Sequence, residues 1–382
     1  MKLFVPRETH PGETRVALVP ELADRLVKLG ASVEIESKLG KPVHLKDKDY
    51  EAVGVTISAD PAASLASADM VLRLRKPGVE EAGQMKQGAL LVSTLEPFDS
   101  ADLIKALAEA GVTALCMELS PRTTIAQKMD VLSSQASLAG YVAVVLAAER
   151  LDKIMPMMMT PSGTLNPARV FIIGAGVAGL QAIATAKRLG ARVEAFDTRT
   201  VVEEQVQSLG AKFVKVDLGE TGQTKDGYAK ALTDEQLAIQ RDAMAKHCAQ
   251  ADVVITTAQV FGRKAPLIIT QDMVKGMKPG SVVIDLAAET GGNVECTKPG
   301  KEVSVNGVRV IGLANLPGHV AVHASQMYAS NLVNLVEHFW NKETNTFELN
   351  RDDEIIQGCL VTDDGAICHE MIRTAIEGEE RS

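Results

Sequence analysis

Two groups of residues have the types and spacing to do chemistry. In "RVFIIGAGVAGLQAIATAKRLGARVEAFD", Gly174, Gly176 and Gly179 form a G-x-G-x-x-G run between a strand pattern and a helical one, and Asp197 closes the next strand pattern. A lone run of this kind is weak, but a preceding strand, a following helix and an acidic residue about 20 positions on make a dinucleotide fingerprint. Gly174 permits the tight turn, Gly176 lets backbone approach a pyrophosphate, and Gly179 lets the helix pack on the strand. Val177 opens the helix whose N-terminus faces the anion. A Gly-rich packing turn, the plainer reading, leaves Asp197 unexplained. An Asp at that strand end accepts from the adenine ribose hydroxyls and repels a 2′-phosphate, which favours NAD(H) over NADP(H). Arg199 pulls the other way, as a group able to welcome that phosphate; bordering the adenosine and simple solvation are its other roles.

The second group is "PRTTIAQKMDVLSSQ", residues 121–135, where Arg122, Gln127, Asp130 and Ser133 crowd ahead of a long apolar helix pattern. It lies well before the Gly-rich loop and is no part of a phosphate cradle. By spacing alone Asp130 is an N-cap for a helix beginning near Val131, with Ser133 three positions later completing the cap.

The elements that position these groups alternate. "KLFV", "SVEIE", "VTIS", "DMVLRLR", "ALLVSTL" and "VTALCME" are strand patterns separated by helical stretches such as "PELADRLVKLG". A second set runs from "RVFIIG" through "RVEAFD", "KFVKVD", "DVVITTA" and "SVVIDLA" to "VRVIGLAN". The expected fold class is α/β, with two doubly wound parallel-sheet (Rossmann-like) domains. Long helix patterns at 131–151 and 319–340 carry the chain between them, so the first domain is discontinuous. It takes 1–130 plus 320–382, and the second takes 131–319. The polar insert at 217–236, with Tyr228 near its middle, is either a lid over bound nucleotide or a mobile surface loop.

Composition narrows the partners. The 382 residues suit two domains. With 46% hydrophobic and 23% charged residues and a net charge of −9, the chain reads as an ordinary acidic soluble protein with no nucleic-acid partner. The start is charged, and "YVAVVLAA" is far short of the roughly 20 apolar residues of a span, so no direct membrane span and no export are expected. The five cysteines form no C-x-x-C pair and read as reduced residues of a cytoplasmic-side protein. His319 and His323 fall at i, i+4 on a helix pattern but lack a third ligand, so no metal is expected.

Several stretches in combination, "PRETHPGETRVALVP", "VLRLRKP", "SLAGYVAV", "GAGVAGLQAIATAKRLGA", "FDTR", "DGYAK" and "KPGSVVIDLAAETGGN", resemble the alanine dehydrogenase and proton-translocating nicotinamide nucleotide transhydrogenase superfamily over nearly the whole chain. The resemblance implies a homodimer of two-domain subunits binding NAD(H) between the domains. The branches differ in chemistry. Alanine dehydrogenases carry a Lys in a K-x-K-E-P stretch and a His after the following strand, where this chain has Arg75 and Glu96. Arg75 cannot give up its proton, and Glu96 is a poor substitute for imidazole near pH 7. Arg15 is retained. NAD-dependent amino-acid oxidation is therefore the alternative reading.

The loop at 121–135 resembles one in the transhydrogenase branch that surrounds the nicotinamide ring, which puts Arg122, Gln127, Asp130 and Ser133 beside the nicotinamide. The resemblance puts Thr198, Gly227, Gln240 and Gln259 at the adenosine half with Asp197 and Arg199; "TTAQVFGRKAP" around Gln259 departs from the expected "TTALIPGKPAP". Hydride transfer between two nicotinamides moves no separate proton and needs only positioning, with the two carbons about 3 to 3.5 Å apart. A carboxamide such as Gln127 can donate and accept at once. Since the two nicotinamide couples have nearly equal potentials, the resemblance further implies a membrane-spanning partner that moves protons and a separate subunit holding NADP(H). The partner face falls near Gln127 and Tyr228. With no span before Ser382, the chain is expected at the cytoplasmic face of the membrane, held there through partner subunits.

Overall fold

In the computed structural model, residues 1–219 and 232–379 are described. The chain divides into two compact units, one of Met1–Gln135 with Gly318–Ser382 and one of Ala136–Pro317. Gly227 and Tyr228 lie outside the described residues.

The first unit is built on an eight-stranded sheet. Its spatial order is Ala366–Ile367, Leu360–Asp363, Thr113–Cys116, Leu90–Ser93, Met70–Leu72, Lys2–Val5, Ser32–Glu36 and Thr56–Ser58. The six strands drawn from residues 1–116 are parallel, and the pair from the C-terminal segment adds an antiparallel edge. Because side chains alternate across a strand, each short apolar run feeds two cores. Leu3, Val5, Met70 and Leu72 pack on one face with the helices Pro20–Lys28 and Ala321–His338. Phe4, Val71 and Leu91 pack on the other with Leu103, Ile104 and Leu107 of the helix Ala101–Glu109.

The second unit repeats the plan with seven strands. In order they are Lys212–Phe213, Arg192–Phe196, Arg169–Ile173, Val253–Thr256, Val282–Asp285, Val308–Ile311 and Glu302–Val305. All neighbours are parallel except the last pair. Val170, Ile172, Val253 and Ile255 face one core, and Phe171, Ile173 and Val254 face the other. The expected α/β class with two doubly wound sheets is observed. The direction of winding reverses between Arg169–Ile173 and Val253–Thr256, which is where a doubly wound sheet opens a crevice for a ligand.

Several details differ from the sequence reading. The strand expected at "KFVKVD" stops at Phe213. Glu302–Val305 and the hairpin Met158–Thr160/Gly163–Leu165 are additional strands; every residue of the hairpin is exposed, so its run carries no inward face to read. The apolar stretch around "YVAVVLAA" belongs to a 20-residue helix, Val131–Arg150, long and apolar enough by composition to cross a membrane. Its Val142, Ala143, Val144 and Ala147 are nonetheless buried in the second unit, and Gly140 lets it lie on the helix Val177–Arg188, since a Cβ there would sit 2.1 Å from the Ala178 carbonyl oxygen. His319 belongs to the 3₁₀ turn Leu316–Val320, which precedes the helix that carries His323, so the two do not share one helical face. Among the described residues no cluster of metal-ligating side chains occurs.

Candidate functional site

Each glycine of the 174–179 run answers to a different constraint. Gly174 has φ +99°, a left-handed conformation costly for other residues, and a Cβ there would meet Thr257 Oγ1 at 2.4 Å. Gly179 lies on the first turn of Val177–Arg188, where a Cβ would fall 1.9 Å from the Gly174 carbonyl oxygen. Gly176 has ordinary backbone and nothing within 4 Å of a built Cβ. A bare backbone facing open space at an N-cap with no side-chain cap is what a pyrophosphate requires, and the residues present therefore fit a dinucleotide. Val177, 44% exposed, opens the helix.

Asp197 ends the strand beside this loop and is tied into it. Its Oδ2 accepts from the Ala175 N–H at 2.8 Å and from Arg199 Nη2 at 2.7 Å, and its Oδ1 accepts from Arg199 N and Nε, both at 2.9 Å. Arg199 is thus not simply solvated; its guanidinium lies on the Asp197 carboxylate. Thr198 is half-buried between them. Gln240 is buried in the helix Asp234–Gln250, whereas Gln259 is exposed, with Nε2 donating to the Leu286 carbonyl at 3.0 Å.

Sequence reasoning missed what holds the opposite wall. Buried Asp285 accepts from the backbone N–H groups of Ala287, Asn293 and Val294. The Asn293 side chain then grips Ala258, accepting from its N–H at 3.1 Å and donating to its carbonyl at 2.9 Å, and Thr257 Oγ1 donates to the Gly174 carbonyl at 3.1 Å. Fully buried Asn293 thus fixes the turn against the Gly-rich loop. The signal was present in "DLAAETGGN", as a carboxylate at a strand end followed by Gly-Gly-Asn, but these residues carry no chemistry of their own.

In the first unit, the 3₁₀ turn Ala126–Met129 is fastened from beneath. Ala126 and Met129 are fully buried, and the Lys128 carbonyl accepts from Asn331 Nδ2 and Asn334 Nδ2, each at 2.9 Å. Gln127 and Arg122 are left exposed on that fixed backbone. Asp130 caps the following helix, with Oδ1 accepting from the Ser133 N–H at 2.8 Å and Oδ2 from the Ser133 hydroxyl at 2.6 Å. Asp130 and Ser133 are therefore in contact, while Gln127 faces solvent.

Arg15, Arg75 and Glu96 join a charge network at the carboxyl ends of the central strands of this unit. Glu13, whose side chain is fully buried, bridges Arg15 Nη2 at 2.7 Å and Arg75 Nε at 2.8 Å, and Arg15 also donates to Gln135 Oε1 at 2.9 Å. Burial pushes the Glu13 carboxyl up, but the hydrogen bonds and charge of Arg15, with Arg75, overcome this and hold it at about 2. Glu96 pairs with Lys76 at 2.7 Å and Arg75 at 3.2 Å. Its burial is likewise outweighed by Lys76 and Arg75, so it stays below the usual carboxylate range.

Comparison with known proteins agrees with this geometry. Residues 4–139 match the family model described as alanine dehydrogenase/PNT, N-terminal domain, and residues 143–370 match its C-terminal counterpart. The chain is 45% identical over 376 residues to the first portion of the split NAD(P) transhydrogenase subunit alpha of Rhodospirillum rubrum, covering 97% of this chain and 98% of that one. It is 30% identical to an alanine dehydrogenase of Halomonas elongata, covering 98% and 96%. Among solved structures, a transhydrogenase from Sinorhizobium meliloti is similar with a TM-score of 0.86 at 43% identity, covering 96% of this chain and 100% of that one. An L-alanine dehydrogenase at 24% identity shares the fold, with a TM-score of 0.80 and 99% of each chain covered. The chain belongs to the alanine dehydrogenase/PNT family.

Proposed function

We propose that the chain is the NAD(H)-binding subunit of a proton-translocating transhydrogenase, catalysing direct hydride transfer between NADH and NADP⁺ held by a partner subunit. The observation that carries this reading is the state of Arg75 and Glu96. Both are committed to ion pairs, and Glu96 is held as a carboxylate, so neither supplies the proton that reductive amination needs near pH 7. Relatives named as transhydrogenase subunits, at 40 to 45% identity, support it.

Bound NAD(H) would supply or accept the hydride at its nicotinamide carbon. The chain's own task is to hold and orient. Gly174, Gly176 and Gly179 offer backbone to the pyrophosphate, and Asp197, Thr198, Arg199, Gln240 and Gln259 serve the adenosine half. Arg122, Gln127, Asp130 and Ser133 serve the nicotinamide half. Gln127 is the central positioning group, because its backbone is fixed by buried neighbours while its carboxamide is exposed. Asp130 keeps its capping role, and through it Ser133 is held in place.

The partners follow from the same reading: an NADP(H)-binding subunit, a membrane-spanning subunit that couples transfer to proton movement, and a second copy of this chain. The second copy is supported by apolar side chains left exposed on the second unit, with Met159 74%, Met157 59% and Leu165 52% accessible on and beside the 158–165 hairpin, and Tyr141 and Val145 exposed on the long helix. Sedimentation at micromolar concentration should give a dimer, and a monomer would remove this element of the proposal. The chain then sits at the cytoplasmic face of the membrane through its partners. Titration of the purified chain with NADH, alongside an assay for pyruvate- and ammonia-dependent NADH oxidation, tests the core reading. Binding without turnover is expected, and turnover by the chain alone would establish an amino-acid dehydrogenase instead.

A further inference from the structure

Four donors converge on the Asp197 carboxylate, three of them from Arg199. A carboxylate offers about four lone-pair positions, so this one is saturated. The pair is also sequestered, with side-chain exposure of 6% for Asp197 and 17% for Arg199. It is fastened to the Gly-rich loop through the Ala175 N–H. A guanidinium is therefore already stationed where the adenine ribose meets its strand-end acid, the place at which an Arg accommodates a 2′-phosphate.

From this we infer that Arg199 is a resident 2′-phosphate ligand kept out of use by Asp197, and that the pair, rather than Asp197 alone, sets which dinucleotide the unit accepts. The inference rests on the nucleotide-site reading above and goes beyond it by naming how NADP(H) is refused. With the carboxylate in place, the guanidinium's Nε and Nη2 edge is spent on Asp197 and its charge is neutralised. A phosphate arriving there meets an adjacent negative charge and a cation already engaged. Removing one negative charge alone should reverse both effects. Asn at position 197 is nearly isosteric and its carbonyl can still accept from the Ala175 N–H, so the loop keeps its tie while the guanidinium is released to face a phosphate.

The test compares equilibrium binding of NADH and NADPH, followed by their fluorescence, to the full chain, to Asp197→Asn and to the double variant Asp197→Asn/Arg199→Ala. The parent chain should prefer NADH. Asp197→Asn should gain about tenfold or more in NADPH affinity itself, and the double variant should lose that gain. If Asp197→Asn only weakens NADH and leaves NADPH unchanged, or if the double variant keeps the gain, the inference is overturned. Should Asp197→Asn lose its fold by circular dichroism, Asp197→Ser, whose hydroxyl can also accept from Ala175, carries the same comparison. A parent chain that binds neither nucleotide overturns the nucleotide site itself, an outcome distinct from a parent that binds NADH beside an unaltered variant.

Discussion

Glu13 offers the sharpest measurable consequence of the charge network in the first unit. Its carboxylate is fully buried between Arg15 and Arg75, and its folded pKa of about 2 lies below the ordinary value of 4.5. Each pKa unit is worth about 1.4 kcal/mol, so ionised Glu13 contributes about 3 kcal/mol at neutral pH. A depressed carboxyl pKa means the stabilisation is complete above the unfolded value and drains as pH falls from about 4.5 toward 2. Glu13→Gln preserves size and one acceptor but removes the charge, leaving two largely buried guanidinium groups short of a counter-ion. Urea unfolding of parent and variant should differ by about 3 kcal/mol at pH 7, and the gap should shrink to roughly 2 kcal/mol by about pH 3.5, since part of the parent's advantage is then protonated away. The transition to follow is that of the first unit, read through Trp340, which is buried within it. A gap that is absent at neutral pH, or that stays constant as the solution is acidified, would refute the assignment of Glu13 as the shared counter-ion.

The glycines of the nucleotide loop separate fold from binding. Gly176→Ala places a methyl in open space, so the melting temperature should hold while NADH affinity falls, and unchanged affinity would remove the pyrophosphate role. Gly179→Ala drives a methyl into the Gly174 carbonyl and should cost about 1–3 kcal/mol as well as binding; a variant as stable as the parent would contradict the close packing of helix on strand. At the other loop, Asp130→Ala should lose about 1 kcal/mol of capping, whereas Asp130→Asn, which still accepts from the Ser133 N–H, should recover it. If Asp130→Asn recovers hydride transfer in full as well, Asp130 is a cap and nothing more.

The α/β class was legible because parallel strands buried on both faces read as short β-branched runs, and "RVFIIG", "RVEAFD" and "SVVIDLA" match Arg169–Ile173, Arg192–Phe196 and Val282–Asp285 closely. The exposed hairpin at 158–165 was invisible to the same argument, since its residues face solvent on both sides. At the nucleotide loop the glycine roles followed from spacing, and the positive φ of Gly174 and the contact forbidden at Gly179 accord with them. What spacing could not show was pairing across distance. Arg199 lies two residues from Asp197, yet whether a guanidinium turns toward its neighbour or toward solvent is decided by the burial of both. Asn293 and Asp285 brace the turn that carries Gln259 from well along the chain, and no periodicity links them to it.

The chain's contribution, on this reading, is to position a nicotinamide for direct transfer, with Gln127 as the key group. The most direct measurement is rapid mixing of the NADH-loaded chain with an NADP⁺-loaded NADP(H)-binding partner domain, following nicotinamide absorbance, for the parent and for Gln127→Asn. Rapid transfer by the parent, with the variant slower by orders of magnitude at nearly unchanged NADH affinity, is the predicted result. Tight NADH binding without any transfer would make the chain a nucleotide sensor, and equal rates for parent and variant would contradict the role given to Gln127.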